Sequence, residues 1–166
     1  MTRRLTLHIG SHKTGTTTLQ SCFLRNEELL AQKGLTFAHG RKSTVHEYLG
    51  SLNHGEFLPG GFKLRDVEDF VAMLEAAKGD EVFASSENFS FFFHPETIND
   101  LAAAIRPLFD EIRILVYLRR QDRQMISHHQ EGAKPHRLPA GHLWGHELTA
   151  LPTPEPQHGL YLDYSR

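Results

Sequence analysis

Cysteine is almost missing from this 166-residue chain. Cys22 stands alone, which excludes an intrachain disulfide framework and a cysteine-based zinc site. Long apolar runs are missing as well: no stretch approaches the roughly 20 apolar residues of a membrane span. Met1-Thr-Arg-Arg passes straight into a strand-like segment rather than a signal peptide. Charge of one sign is not in excess, since 18 basic and 20 acidic residues leave a formal −2. General binding to nucleic acid or an anionic membrane calls for a basic excess, so neither is expected. Internal repeats are absent. What remains is a single globular domain over 1–166, expected in the cytoplasm, with a length sufficient to bury a substantial core.

What the chain does have is concentrated in residues 5–20, Leu-Thr-Leu-His-Ile-Gly-Ser-His-Lys-Thr-Gly-Thr-Thr-Thr-Leu-Gln. This is a short apolar strand, a glycine turn carrying one lysine, and a helix that opens on hydroxyl residues. Unpaired amides at a helix start, together with the helix dipole, attract phosphate-like anions. Lys13 adds a full charge, Gly15 frees the backbone, and the Thr14, Thr16, Thr17 and Thr18 hydroxyls add donors. Gly10 and Gly15 have the spacing of a Walker A loop, but Thr16 stands where its lysine belongs and Lys13 lies three residues earlier. That displacement disfavours an ATP or GTP hydrolase.

Strand-like and helix-like segments alternate along the chain, as in a parallel sheet covered by helices. Strands are expected near 4–9, 35–38, 81–85 and 112–118. The last of these, Ile-Arg-Ile-Leu-Val-Tyr-Leu, is a nearly continuous apolar run suited to the centre of the sheet. One helix is expected from the hydroxyl cluster to Gly34, its apolar side formed by Leu19, Cys22, Phe23, Leu29 and Leu30 with the thiol buried. Others follow Asp66, Pro95 and Arg120. Residues 39–64 read as loop with one short helix near 45–52. The segment 132–159 holds five prolines, four glycines and four histidines and reads as a flexible loop or flap. A final strand at 160–164 then begins just before the chain stops, the mark of a domain incomplete at its C-terminus.

A second anchor follows the strongest strand, in Arg119-Arg-Gln-Asp-Arg-Gln-Met-Ile-Ser127. An arginine fork at a strand end can meet two phosphate oxygens, and a hydroxyl about two helical turns on can lean back toward it. Taken with Lys-Thr-Gly-Thr-Thr-Thr-Leu after the first strand, this pattern resembles the sulfotransferases that use 3′-phosphoadenosine-5′-phosphosulfate, in particular their bacterial-type domain proteins. The motifs occupy only 8–20 and 119–127, although the resemblance in element order runs nearly the whole length. It implies an α/β fold of the P-loop-NTPase-like kind, a three-layer sandwich with a central parallel sheet flanked by helices. It also implies that the Lys13 loop holds the 5′-phosphosulfate while Arg119 and Ser127 hold the 3′-phosphate. Family chains carry Asp-Pro or Asn-Pro after the arginine; here Arg120-Gln121 stands there, which leaves open whether Arg119 or Arg120 faces the donor.

The implied reaction moves a sulfuryl group to a hydroxyl or amine acceptor, with carbohydrate among the acceptor classes, and releases adenosine 3′,5′-bisphosphate. Lys13 would neutralise the bridging oxygen, so no metal is called for. Two residues compete as the base. Glu87, in Ser-Ser-Glu-Asn-Phe after the third strand, lies at the carboxyl edge of the sheet, and burial near the phenylalanines of 89–93 would raise its basicity. His46, in Thr-Val-His-Glu-Tyr, loosely matches a histidine of the family and is a natural base near neutral pH. The 12 histidines show no chelating spacing, and adjacent His128 and His129 diverge on a helix. A truncated, non-catalytic nucleotide-binding protein is the alternative. A P-loop small-molecule kinase ranks below it, for want of an aspartate at an apolar strand end to hold magnesium.

Overall fold

In the computed structural model, which describes residues 2–40, 45, 48–51, 62–134, 149–151 and 162–164, the chain is α/β. Strand β1 (Arg4–His8) is followed by α1 (Thr16–Arg25), α2 (Glu27–Gln32) and β2 (Leu35–Ala38). A short ribbon of β3 (Leu49–Ser51) and β4 (Phe62–Leu64) precedes α3 (Val67–Ala76), β5 (Glu81–Ser85), α4 (Pro95–Ile105), β6 (Glu111–Leu115) and α5 (Gln121–Gly132). The main sheet is parallel in the order β2-β5-β1-β6.

Alternation along the strands divides the sheet between two sets of helices. Leu5 and Leu7 of β1 and Val82 and Ala84 of β5 join Phe70 and Leu74 of α3 and Leu101 and Ile105 of α4 in one buried core. Their neighbours Thr6, His8, Phe83 and Ser85 point the other way, where Phe23 of α1 stacks on Phe83 with 4.3 Å between ring centroids. At the amino edge, Arg4 pairs with Glu81 and Glu111 on the two flanking strands, in register with both. The chemistry-bearing residues all lie at the opposite edge.

Several expectations need correction. Among the described residues the apolar strand β6 is not central but lies at the edge of the sheet, and Ile114 is 59% exposed. The apolar run is not matched by burial, since Val116, Tyr117 and Leu118 just beyond the strand are exposed as well. The expected single helix is two: Asn26 interrupts it, its side chain donating to the carbonyl of Cys22 at 2.7 Å. Cys22 and Leu29 are exposed rather than buried: the inward side of α1 is formed by Thr16 and Gln20, with Phe23 half-buried. Where a short helix was expected near 45–52, β3 pairs antiparallel with β4. Asp66 precedes α3 as expected, but its side chain makes no cap bond. Most of 132–159 lies outside the described residues, as do 160 and 161; residues 162–164 of the expected final strand are described and form no strand. Among the described residues no helix is long and apolar enough to cross a membrane.

Candidate functional site

Between β1 and α1 the chain turns through residues 9–15, and three of these have positive φ: Gly10 at 91°, Lys13 at 64° and Gly15 at 90°. Gly15 occupies the cap position of α1, and no side chain caps that helix. An uncapped helix start presents backbone donors and a partial positive charge. Thr17 and Thr18 are exposed on this first turn, whereas Thr16 is buried. Thr14 is turned inward, its hydroxyl donating to the carbonyl of Ser11 at 2.6 Å. Of the four threonines, Thr17 and Thr18 therefore keep their side chains toward solvent.

The segment leaving β6 grips this turn. Parallel pairing continues past the strand ends, with Ile9 N–H donating to Leu115, Tyr117 N–H to Gly10 and Ser11 N–H to Tyr117. Arg119 then reaches across and donates to the carbonyl of Lys13 at 3.0 Å. Its neighbour Arg120 makes a two-pronged contact with Asp122 instead, at 2.6 and 2.7 Å. Arg119, not Arg120, is thus the arginine at the lysine turn. Ser127 is half-buried on α5 and makes no hydrogen bond to Arg119 among the described residues.

Helix α5 contributes contacts that the motifs do not contain. Gln124, fully buried, donates to the Ser11 hydroxyl at 2.9 Å and to the His12 carbonyl at 3.1 Å. The single hydroxyl proton of Tyr164 is shared between two acceptors, the Gln124 amide oxygen and the carbonyl of Arg119. His128 lies beside His12, and Glu131 receives Lys13 Nζ at 3.0 Å. Positions 124, 128 and 131 fall on one helical face; an i, i+4, i+7 polar stripe on an otherwise polar helix was the one available signal for them. Glu131 is shared, since Lys134 approaches it to 2.7 Å. Those two lysines, Lys134 foremost, lower its pKa to about 2, so the pair stays intact at any pH above the ordinary carboxylate range. Glu131→Gln should accordingly release Lys13 and tighten phosphate-ester binding about fivefold, the worth of a ~1 kcal/mol partly screened pair. Titration calorimetry checks this; weaker binding would mean that Glu131 orients Lys13 rather than competing for it.

The candidate base Glu87 opens a 3₁₀ turn, Glu87–Phe91, directly after β5. It is half-buried and lies against the lysine turn: a Cβ built on Gly10 would stand 2.8 Å from Glu87 Cα. A buried polar chain runs behind it. Gln20 of α1 donates from Nε2 to Glu87 Oε2 at 3.3 Å and to the Ser85 hydroxyl at 3.1 Å, and Ser85 meets His8 Nδ1 at 2.9 Å. Burial pushes the His8 imidazole below its ordinary pKa against the opposing charge of Glu87, which favours the neutral ring. The other competitor, His46, lies outside the described residues. A cleft of about 380 Å³ opens beside Ser11, with Phe89, Phe92, Phe93, Val116 and Leu118 among its walls.

No protein-family model, curated protein or solved structure matches this chain. Function therefore rests on the site itself. The lysine turn, Arg119 and Glu87 share the carboxyl edge of three adjacent parallel strands, the usual ligand crevice of α/β sheets.

Proposed function

We propose that the chain is a sulfotransferase of P-loop-like architecture that takes a sulfuryl group from 3′-phosphoadenosine-5′-phosphosulfate to a hydroxyl or amine. The observation that carries this reading is the meeting of its two basic anchors: Arg119 donates to the backbone of Lys13, although 106 residues separate them. One anion-binding turn suits many ligands. A second anchor, an arginine brought to the same edge from the neighbouring strand, suits a nucleotide phosphorylated at both ends.

In this reading the Lys13 turn, with Gly15, Thr17, Thr18 and the start of α1, holds the 5′-phosphosulfate, and Arg119 with Ser127 holds the 3′-phosphate. The acceptor oxygen or nitrogen attacks sulfur in line while the bond from sulfur to the bridging phosphate oxygen breaks. The electron pair leaves with adenosine 3′,5′-bisphosphate, where Lys13 neutralises it, and the acceptor proton passes to Glu87. The apolar cleft beside Ser11 offers the acceptor a place next to the turn.

Calorimetry with adenosine 3′,5′-bisphosphate against ATP plus magnesium tests the reading. The bisphosphate should bind and be preferred, and Arg119→Ala should weaken it by about 10- to 100-fold, the range for a lost charge-assisted contact. Preference for ATP would overturn the proposal in favour of a kinase. Bisphosphate binding with no transfer to any acceptor would leave a binding protein.

A further inference from the structure

We propose that Gln20 is a positioning residue that holds the carboxylate of Glu87 toward the lysine turn. The inference deepens the sulfotransferase reading, resting on it only for the use of Glu87 as base. Gln20 is one of two buried residues of α1; the other is Thr16, one turn earlier on the same face. Both hydrogens of its side-chain amide are spent. One goes to Glu87 Oε2 and the other to the Ser85 hydroxyl, which can then donate onward to His8 Nδ1. A buried amide nitrogen with two acceptors is fully satisfied and cannot turn away without stranding a donor. The carboxylate is thereby tied to a helix rather than left to the short turn that carries it.

The arrangement has a mechanical meaning. The helix whose first turn would receive the sulfonated phosphate also carries, one turn deeper, the group that fixes the base. Distance between donor and base is then set within a single rigid element, as a near-attack geometry requires. A glutamine suits this better than a lysine or arginine, because a neutral donor orients the carboxylate while lowering its basicity less than an ion pair would.

The test reads the hydrogen bond first and activity second. In the wild-type chain, the Gln20 side-chain amide proton, followed by NMR, should titrate with the same midpoint as the Glu87 carboxyl carbon. The titratable neighbour that this chain of contacts reaches is His8, through Ser85. In Glu87→Gln the Gln20 proton should therefore lose that titration; a titration that persists belongs to His8 and overturns the proposal. Gln20→Leu removes both donors at similar length and should raise the Glu87 pKa by about one unit. An unmoved Glu87 in folded Gln20→Leu also overturns it, and if that variant does not fold, the wild-type titration still decides. The activity arm follows: Gln20→Leu should lower kcat about 10- to 100-fold with little change in KM for the donor, and shift the acid limb of the pH profile upward. Absence of transfer by the wild-type chain would sink the sulfotransferase reading while the NMR result still stands or falls on its own.

Discussion

Lys13→Ala is expected to reduce sulfuryl transfer at saturating donor by on the order of 10³-fold, the largest loss of activity from any single replacement in this site. Removing one preorganised donor aimed at developing charge costs on the order of 10²–10³-fold in other enzymes, and here the donor carries a full charge. The fold should survive the change. Glu131 keeps Lys134 at 2.7 Å when Lys13 is gone, so no carboxylate is stranded. Lys13→Arg makes the informative companion: it keeps the charge but replaces a point donor with a planar fork, and partial activity would locate the requirement in geometry. Transfer rates measured at several donor concentrations separate binding from chemistry. A Lys13→Ala protein with undiminished kcat would remove the lysine turn from the reaction altogether.

Gly10→Ala should have the largest effect on stability, and for reasons independent of any catalytic reading. Two requirements coincide at this position. The backbone has φ of 91°, and the added methyl would lie 2.8 Å from Glu87 Cα and 2.9 Å from Glu87 Cβ. The turn cannot simply back away, because the Gly10 carbonyl accepts from Tyr117 N–H at 2.8 Å. Strained φ and forced overlap together cost about 2–4 kcal/mol, a fall in melting temperature of about 4–16 °C for a chain of this size. Gly15→Ala is the control, since Gly15 has nearly the same φ, 90°, with nothing within 4 Å of the added carbon. That variant should lose only the strain term. If thermal melts place Gly10→Ala no lower than Gly15→Ala, the close approach of the lysine turn to Glu87 is not a feature of the folded chain.

How much of this was legible beforehand follows from what each signal measures. The lysine turn could be read because its parts are local: a strand end, two glycines and an N-terminal hydroxyl cluster within 5–20. Arg119 could be placed at a strand end, but preferring it to Arg120 required Asp122, which claims Arg120 locally. The contacts of α5 left at most a polar stripe to read, with no sign of its partners. Glu131 and Lys13 are 118 residues apart, and nothing in either segment announces the other. The same holds for Gln20, which reads as an ordinary helical residue until β5 brings Glu87 against it. Apolar periodicity misled in the first helix because its buried side carries the polar Thr16 and Gln20, and so it misplaced Cys22. The apolar content of β6 suggested a central strand, but among the described residues it has one strand neighbour, and Ile114, with Val116 and Leu118 beyond it, is exposed.

The shared carboxylate of Glu131 bears on which anions the turn would accept. Lys13 is already matched, so a small free anion such as inorganic phosphate gains little by arriving: it must displace an intramolecular partner and offers only one attachment. A ligand that also engages Arg119 can offset that displacement at a second point. The ion pair at 3.0 Å would then act as a discriminator, holding the turn against abundant simple phosphates and yielding to a molecule long enough to reach both anchors.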